Sequence, residues 1–163
     1  MRIIENETAI AAPPAQVWRV LSDFPGYCGW HPFIRLSGEA TLGAEVDYEF
    51  TAILRSRRVR HSPAVITRLE RDTALEWQMG YRHVFQHIES WELSRLPTGT
   101  RLRHWVEFRG AFALLMSRAA RNAAHSRMCE ADDDLRSHVE GKKSRTPAPV
   151  RRAPRNGFRK PRR

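Results

Sequence analysis

Residues 13 to 33, PPAQVWRVLSDFPGYCGWHPF, narrow the folds open to this chain more than any other segment. Pro13 and Pro14 suit a helix entrance, where a missing N–H forfeits no intrahelical bond. Val17, Val20, Leu21 and Phe24 follow at helical spacing, and Trp18 widens the apolar stripe, so one side of the segment is expected to be buried. Pro25-Gly26 interrupts the run. Trp30 and Phe33 bracket His31-Pro32, and Pro32 biases His31 toward extended backbone, the way a second short helix is handed on to a strand.

The flanking sequence reads as strands. Arg2 to Ala11 alternates Ile4, Asn6, Thr8 and Ile10 against Ile3, Glu5, Glu7 and Ala9. After Phe33 come strand candidates at Ile34 to Gly38, Glu45 to Leu54, Ser62 to Glu70, Ala74 to Tyr81, His83 to Leu96 and Thr100 to Arg109. Gly43, Arg71-Asp72, Gly80 and Pro97-Thr98-Gly99 supply the breaks, and links this short favour an antiparallel meander over parallel units with helical crossovers. From Ala111 to about Glu140 a long helix is expected. Its apolar stripe is Phe112, Leu115, Met116, Ala119, Ala123, Met128, Ala131, Leu135 and Val139, and Gly141 is its stop. The predicted class is α+β: a curved, seven-stranded antiparallel sheet wrapped around a long C-terminal helix, with two short helices after the first strand.

The net charge of +10 has a location. Residues 141 to 163 hold ten Lys or Arg and no Asp or Glu, and subtracting those ten from 28 leaves 18 basic against 18 acidic residues in 1 to 140. The chain therefore divides into a neutral domain, 1–140, and a basic, Pro-containing tail, 141–163. With Phe158 as its one large apolar residue, the tail cannot bury enough surface to offset the entropy of ordering and is expected to be disordered. A run of this kind attracts nucleic acid, an anionic membrane or acidic protein in a salt-sensitive way. A plain solubilising extension is the alternative, since the tail lacks the interleaved aromatics that stack on bases. The start of the chain has no basic segment followed by an apolar core, and no apolar run approaches about 18 residues, so neither a signal peptide nor a membrane span is expected. Cys28 and Cys129 are too few and too far apart for a disulfide framework or a metal cluster. A cytoplasmic protein without a cofactor is the expectation.

The segment Ala12-Pro13-x-x-x-Val17-Trp18-x-Val20-Leu21-x-Asp23-Phe24, followed by Trp30-His31-Pro32-Phe33, resembles the opening of the START-like, SRPBCC or polyketide cyclase/dehydrase superfamily. Gly99-Thr100-Arg101-Leu102-x-His104 and Phe108-x-Gly110 match the same pattern ahead of its C-terminal helix. The resemblance covers about 1 to 140. It implies a helix-grip fold in which sheet and helix enclose an apolar cavity that, in relatives, binds lipids, polyketides, aromatic compounds or hormones. Two positions depart from the pattern: His31 stands where relatives often carry Asn, and Asp132-Asp133-Asp134 stands where they are more apolar or amide-bearing.

Strand parity then proposes which residues face such a cavity. Val46, Tyr48 and Phe50 form the apolar set of their strand, and Leu75, Trp77 and Met79 that of theirs. Across the turn at Pro97 to Gly99, pairing positions that sum to about 195 sets Leu93 opposite Leu102, Trp91 opposite His104, Glu89 opposite Val106 and His87 opposite Phe108. The apolar members put this set inside, which places His87, Glu89 and His104 on an otherwise greasy wall. Trp30, His31 and Phe33 are expected at one end, and Met116 and Met128 on the helix. A buried Glu89 near His104 is a natural acid/base pair, because burial raises a carboxyl pKa while a charged partner lowers it, and the two could exchange a proton near neutrality. Equally, such residues orient a ligand by hydrogen bonds, or satisfy one another structurally. His31 is a ligand contact or a joint between helix and strand. Asp132 reads as part of a solvated acidic turn, with a place at the cavity border as the alternative. His83 and His87 lie roughly 13 Å apart on a strand, too far to share a metal ion.

Three functions remain open: a module that binds a small apolar or aromatic ligand; a polyketide cyclase/dehydrase-like lyase in which His104 with Glu89, or Tyr48, moves protons; and an adaptor whose tail makes the contact.

Overall fold

The computed structural model describes residues 2–51 and 59–141. In chain order these form β1 (Arg2–Ile10), α1 (Pro14–Ser22), a 3-10 helix (Pro25–Gly29), β2 (Ile34–Ser37), β3 (Glu45–Thr51), β4 (Val59–Glu70), β5 (Ala74–Tyr81), β6 (Phe85–Leu96), β7 (Gly99–Arg109), α2 (Ala111–Leu114) and α3 (Arg118–Val139). All seven strands join one antiparallel sheet in the order β1-β7-β6-β5-β4-β3-β2. From β2 onward each strand pairs with the next, whereas β1 and β2 occupy opposite edges, so α1 and the 3-10 helix carry the chain across the sheet. The sheet curls around α3 in the helix-grip arrangement of an α+β fold.

The core grows from the 13–33 segment. Val17, Leu21, Phe24 and Tyr27 are almost wholly buried and pack with Trp77, Leu75, Leu135 and Val139. Removing an apolar side chain of this size from water stabilises the fold by roughly 1.5–3 kcal/mol each. Tyr27 keeps its hydroxyl satisfied by donating to the Leu21 carbonyl at 2.9 Å, and its ring meets Phe24 edge-on at 5.9 Å.

β6 and β7 pair with Leu93 opposite Leu102, Trp91 opposite His104, Glu89 opposite Val106 and His87 opposite Phe108, the register expected from the turn. On the other side of β7, Asn6 of β1 stands opposite His104. β4 reaches back to Val59, three residues before the expected start, because Val59 to His61 continue the ladder opposite Thr51 to Glu49. Pro63, which has no N–H to give, falls just before β4 begins to pair with β5 at Ala64. β6 starts at Phe85 instead of His83, since a turn closed by the Val84 N–H on the Tyr81 carbonyl occupies the intervening residues. The expected continuation of β3 to Leu54, and the tail from Lys142 onward, lie outside the described residues.

The single long helix expected from Ala111 is in fact two. α2 ends at Leu114, and α3 begins only after Ser117, whose hydroxyl accepts from the Ala120 N–H at 3.1 Å and caps the new helix. The restart shifts the buried stripe by one position near its beginning. Ala120 and Ala124 face inward, in place of Ala119 and Ala123, while Phe112 and Leu115 are exposed. From Met128 on, the expected stripe of Met128, Ala131, Leu135 and Val139 is buried, and Gly141 follows with a left-handed φ of 70°.

Candidate functional site

Between the concave face of the sheet and α3 lies a pocket of about 530 Å³. Its wall is mostly apolar. β1, β7 and α3 contribute Ile4, Val106, Phe108, Met128 and Ala131, β2 and β3 contribute Ile34 and Phe50, and Met79, Phe85 and Met116 complete the apolar lining. Among the residues singled out by parity, His31, Phe33, Tyr48, Phe50, Met79, His87, Glu89, His104, Phe108, Met116 and Met128 all line this pocket.

Trp30, Trp77 and Trp91 do not line it. Trp77 and Trp91 lie against each other with ring centroids 4.4 Å apart and fill the layer behind the pocket. From there Trp77 Nε1 donates to Glu89 Oε2 at 3.1 Å, and Trp91 stacks on the His104 ring at 4.5 Å and 21°. Trp30 is buried against Tyr27 and borders a separate, polar depression with Gln16, Arg19 and His138. Bulky indoles on inward positions pack into the core before they can leave a void, so a shared strand face does not imply a shared cavity.

The polar end of the pocket is a chain of buried side chains. Asp132 Oδ1 meets His104 Nδ1 at 2.8 Å, and Asp132 Oδ2 accepts from Asn6 Nδ2 at 2.8 Å. The other ring nitrogen, His104 Nε2, lies 3.3 Å from Glu89 Oε1, in ion-pair range but without the alignment of a hydrogen bond. Glu89 Oε2 in turn accepts from the Tyr48 hydroxyl and from Trp77, each at 3.1 Å. His87 Nε2 stands 3.7 Å from that oxygen.

Burial by itself would keep these groups neutral, but at His104 and Glu89 the partners prevail. Against the cost of burial, His104 between Asp132 and Glu89 is pushed up to about 9. Glu89, also opposed by burial, is drawn down to about 2 by its close contact with the His104 ring and by the nearby imidazoles of His87 and His31. With these shifts Glu89 and His104 form an ion pair that persists across the neutral range. His87, desolvated and beside a charged His104, is shifted down despite Glu89. Tyr48 is raised well above its ordinary value by burial and by Glu89.

His31 is a joint between helix and strand that also borders the pocket. Its Nδ1 accepts from the Phe33 and Ile34 amides at 3.2 and 3.1 Å, the work of a joint that starts β2. Its ring also lines the pocket, and burial holds its pKa down at about 3. With Nδ1 accepting, the ring proton belongs on Nε2.

Asp132 corrects the sequence reading outright. It is 2% exposed and anchors the polar chain, as opposed to sitting in a solvated turn. The signal was present: four residues after Met128 and three before Leu135, it falls on the buried helix face. Arg60, ahead of the expected start of its strand, and Arg127, on the helix, also line the pocket. Cys28 and Cys129 are free thiols, and no group of three or more His, Cys, Asp or Glu among the described residues is placed to hold a metal ion. Nor is any helix among them long and apolar enough to cross a membrane.

The family described as "Polyketide cyclase / dehydrase and lipid transport" matches residues 1–140. No curated protein matches the sequence. Among solved structures, the chain is similar to protein CV1439 from Chromobacterium violaceum, with a TM-score of 0.69 at 17% identity, covering 86% of this chain and 99% of that one. Ara h 8.0201 superposes with a TM-score of 0.66 at 11% identity, covering 86% and 99%. DynU16, a putative protein in the dynemicin biosynthetic locus, superposes with a TM-score of 0.69 at 18% identity, covering 88% of this chain and 49% of that one. Structures this distant in sequence speak for the fold, and the match over 1–140 speaks for descent. The chain belongs to the polyketide cyclase/dehydrase and lipid transport family of START-like, SRPBCC proteins.

Proposed function

We propose that this protein binds a small apolar or aromatic molecule in the pocket between its sheet and α3, with the His87, Glu89 and His104 end orienting it. The observation that carries this reading is the pocket itself. A volume of about 530 Å³, an apolar wall and a few convergent polar groups at one end are the usual make-up of a small-molecule site. Ligand binding or polyketide-related chemistry is also the general remit of the family. The ion pair favours binding over acid/base work, because a carboxylate near 2 and an imidazole near 9 are both far from the neutral pKa a proton shuttle needs. Native mass spectrometry of protein purified from its own cell extract tests the reading, together with an Ala131→Phe variant that fills the pocket. A retained small molecule, lost in the filled variant, is expected. An empty native protein whose uptake of apolar probes is indifferent to filling would refute it.

A second reading is a polyketide cyclase/dehydrase-like lyase, with His104 and Glu89, or Tyr48, moving protons. The continuous chain from Asp132 through His104 and Glu89 to Tyr48 favours it, because a carboxylate behind an imidazole fixes the tautomer a general acid or base requires. In His104→Ala, turnover that survives unchanged eliminates this role; turnover lost with ligand affinity intact establishes it over simple binding.

A further inference from the structure

The pocket has two chemically different ends. One is the Asp132, His104 and Glu89 chain, where two carboxylates flank a single imidazolium. The other is built by β3, β4 and the middle of α3 and carries cations. Tyr48 of β3 stands opposite Ser62 of β4, and Phe50 stands opposite Arg60. Directly opposed residues share a sheet face, and all four line the pocket. Arg60 is therefore one inward step, about 7 Å, farther along the strands from the Tyr48 that bonds Glu89. Arg127 comes to the same corner from α3. Its Nη1 donates to the carbonyl of Thr51, the residue after Phe50, at 2.5 Å, and its guanidinium sits 4.6 Å above the Phe33 ring. Phe33 precedes Ile34, which pairs with Phe50, so backbone and ring together hold the guanidinium at this end of the wall.

The groups that act on Glu89 are His87, His104 and His31, with neither arginine among them. Burial lowers the Arg127 pKa in spite of Glu130, about one turn along the same helix. Guanidiniums bordering an apolar pocket favour an oxyanion, which Arg recognises through paired N–H donors. The carboxylate-rich far end disfavours the same anion, so a ligand with one anionic terminus would enter in a single orientation.

We propose that the molecule held in this pocket carries an anionic group, a carboxylate or another oxyanion, bound at the β3, β4 and α3 end by Arg60 and Arg127, with its apolar body directed toward His87, Glu89 and His104. This rests on the pocket being the ligand site, and the test separates the two claims. Two fluorescent probes share one aromatic skeleton: 8-anilinonaphthalene-1-sulfonate bears a sulfonate, and N-phenyl-1-naphthylamine does not. Titrated against the full chain, the sulfonate probe is expected to bind at least about tenfold tighter. Replacing both arginines, Arg60→Gln with Arg127→Gln, is expected to weaken the sulfonate probe by about tenfold and the neutral probe by less than about twofold. Arg60→Gln alone changes an exposed side chain, and it should already weaken the sulfonate probe by about threefold with the circular dichroism spectrum unchanged. Equal affinities for the two probes overturn the proposal while leaving the pocket reading intact, as does parallel weakening of both in the variants. Failure of both probes to bind overturns the pocket reading and this one with it.

Discussion

At the scale of single residues, the decisive contest is between desolvation and pairing at His104. Its pKa rises from the ordinary 6.5 to about 9 because Asp132 and Glu89 outweigh burial. A raised folded-state pKa contributes stability that is fully present below 6.5 and disappears as the pH climbs through about 9. Glu89, drawn down to about 2, contributes stability above its ordinary 4.5 that is lost toward pH 2. His31, held neutral down to about 3, costs stability as the pH falls below 6.5. The range from 6.5 to 9 therefore isolates His104, and the wild type should lose up to about 3 kcal/mol across it. Asp132→Asn should lower stability at pH 6.5 by about 3 kcal/mol, since it strips a buried charge of a partner, and should flatten the alkaline slope. Urea unfolding at pH 6.5, 7.5 and 9 measures both, and an unchanged slope in the variant would show that Asp132 does not set the His104 charge. Glu89 and His104 could be placed from strand register alone. Asp132 could not be recognised as their partner, because helix period gives a face but not what stands across from it.

Secondary-structure elements show where local signals compete. The Ala-rich stretch after Ala111 has helical propensity throughout, yet the helix restarts at Arg118 because Ser117 offers the stronger local bond as a cap. Ser117→Ala should cost about 1 kcal/mol and lower the thermal midpoint by several degrees in a calorimetric scan. No change would mean that the tertiary contacts of α3 alone define its start. The turn between β6 and β7 makes a stricter demand. Gly99 has a φ of 151°, and a Cβ there would collide with the Ile10 carbonyl oxygen of the adjoining strand end. Gly99→Ala should destabilise by more than about 2 kcal/mol. Equilibrium denaturation with wild-type stability would contradict the packing of β1 on this turn. The Pro97 to Gly99 signal was enough to set the β6 and β7 register, since a short connection allows few alignments.

Over the whole molecule, charge and topology are partitioned. Deleting residues 142–163 removes all ten tail Lys and Arg and takes the net charge from +10 to zero, while touching no described element. The truncated chain should keep its thermal midpoint within about 2 °C and lose salt-sensitive retention on heparin. Retention that survives the deletion would move the polyanion contact onto the folded domain.

Two levels of description thus divide the protein. The sequence by itself determined the class of fold, the strand sequence and the central register, because hydrophobic period, turn residues and short connections are local and each excludes most alternatives. It also placed Tyr48, Glu89, His87 and His104 on one face. Only the tertiary structure decided what that face adjoins. Trp77 and Trp91 close into core while Phe50 and Phe108 border open space, Asp132 arrives from α3 to charge His104, and Arg127 reaches from α3 to Thr51 and Phe33 in the pocket that Arg60 also lines. The physical reason is that cavities and buried ion pairs arise from how elements far apart in the chain fit against each other, a property that no single element's period contains.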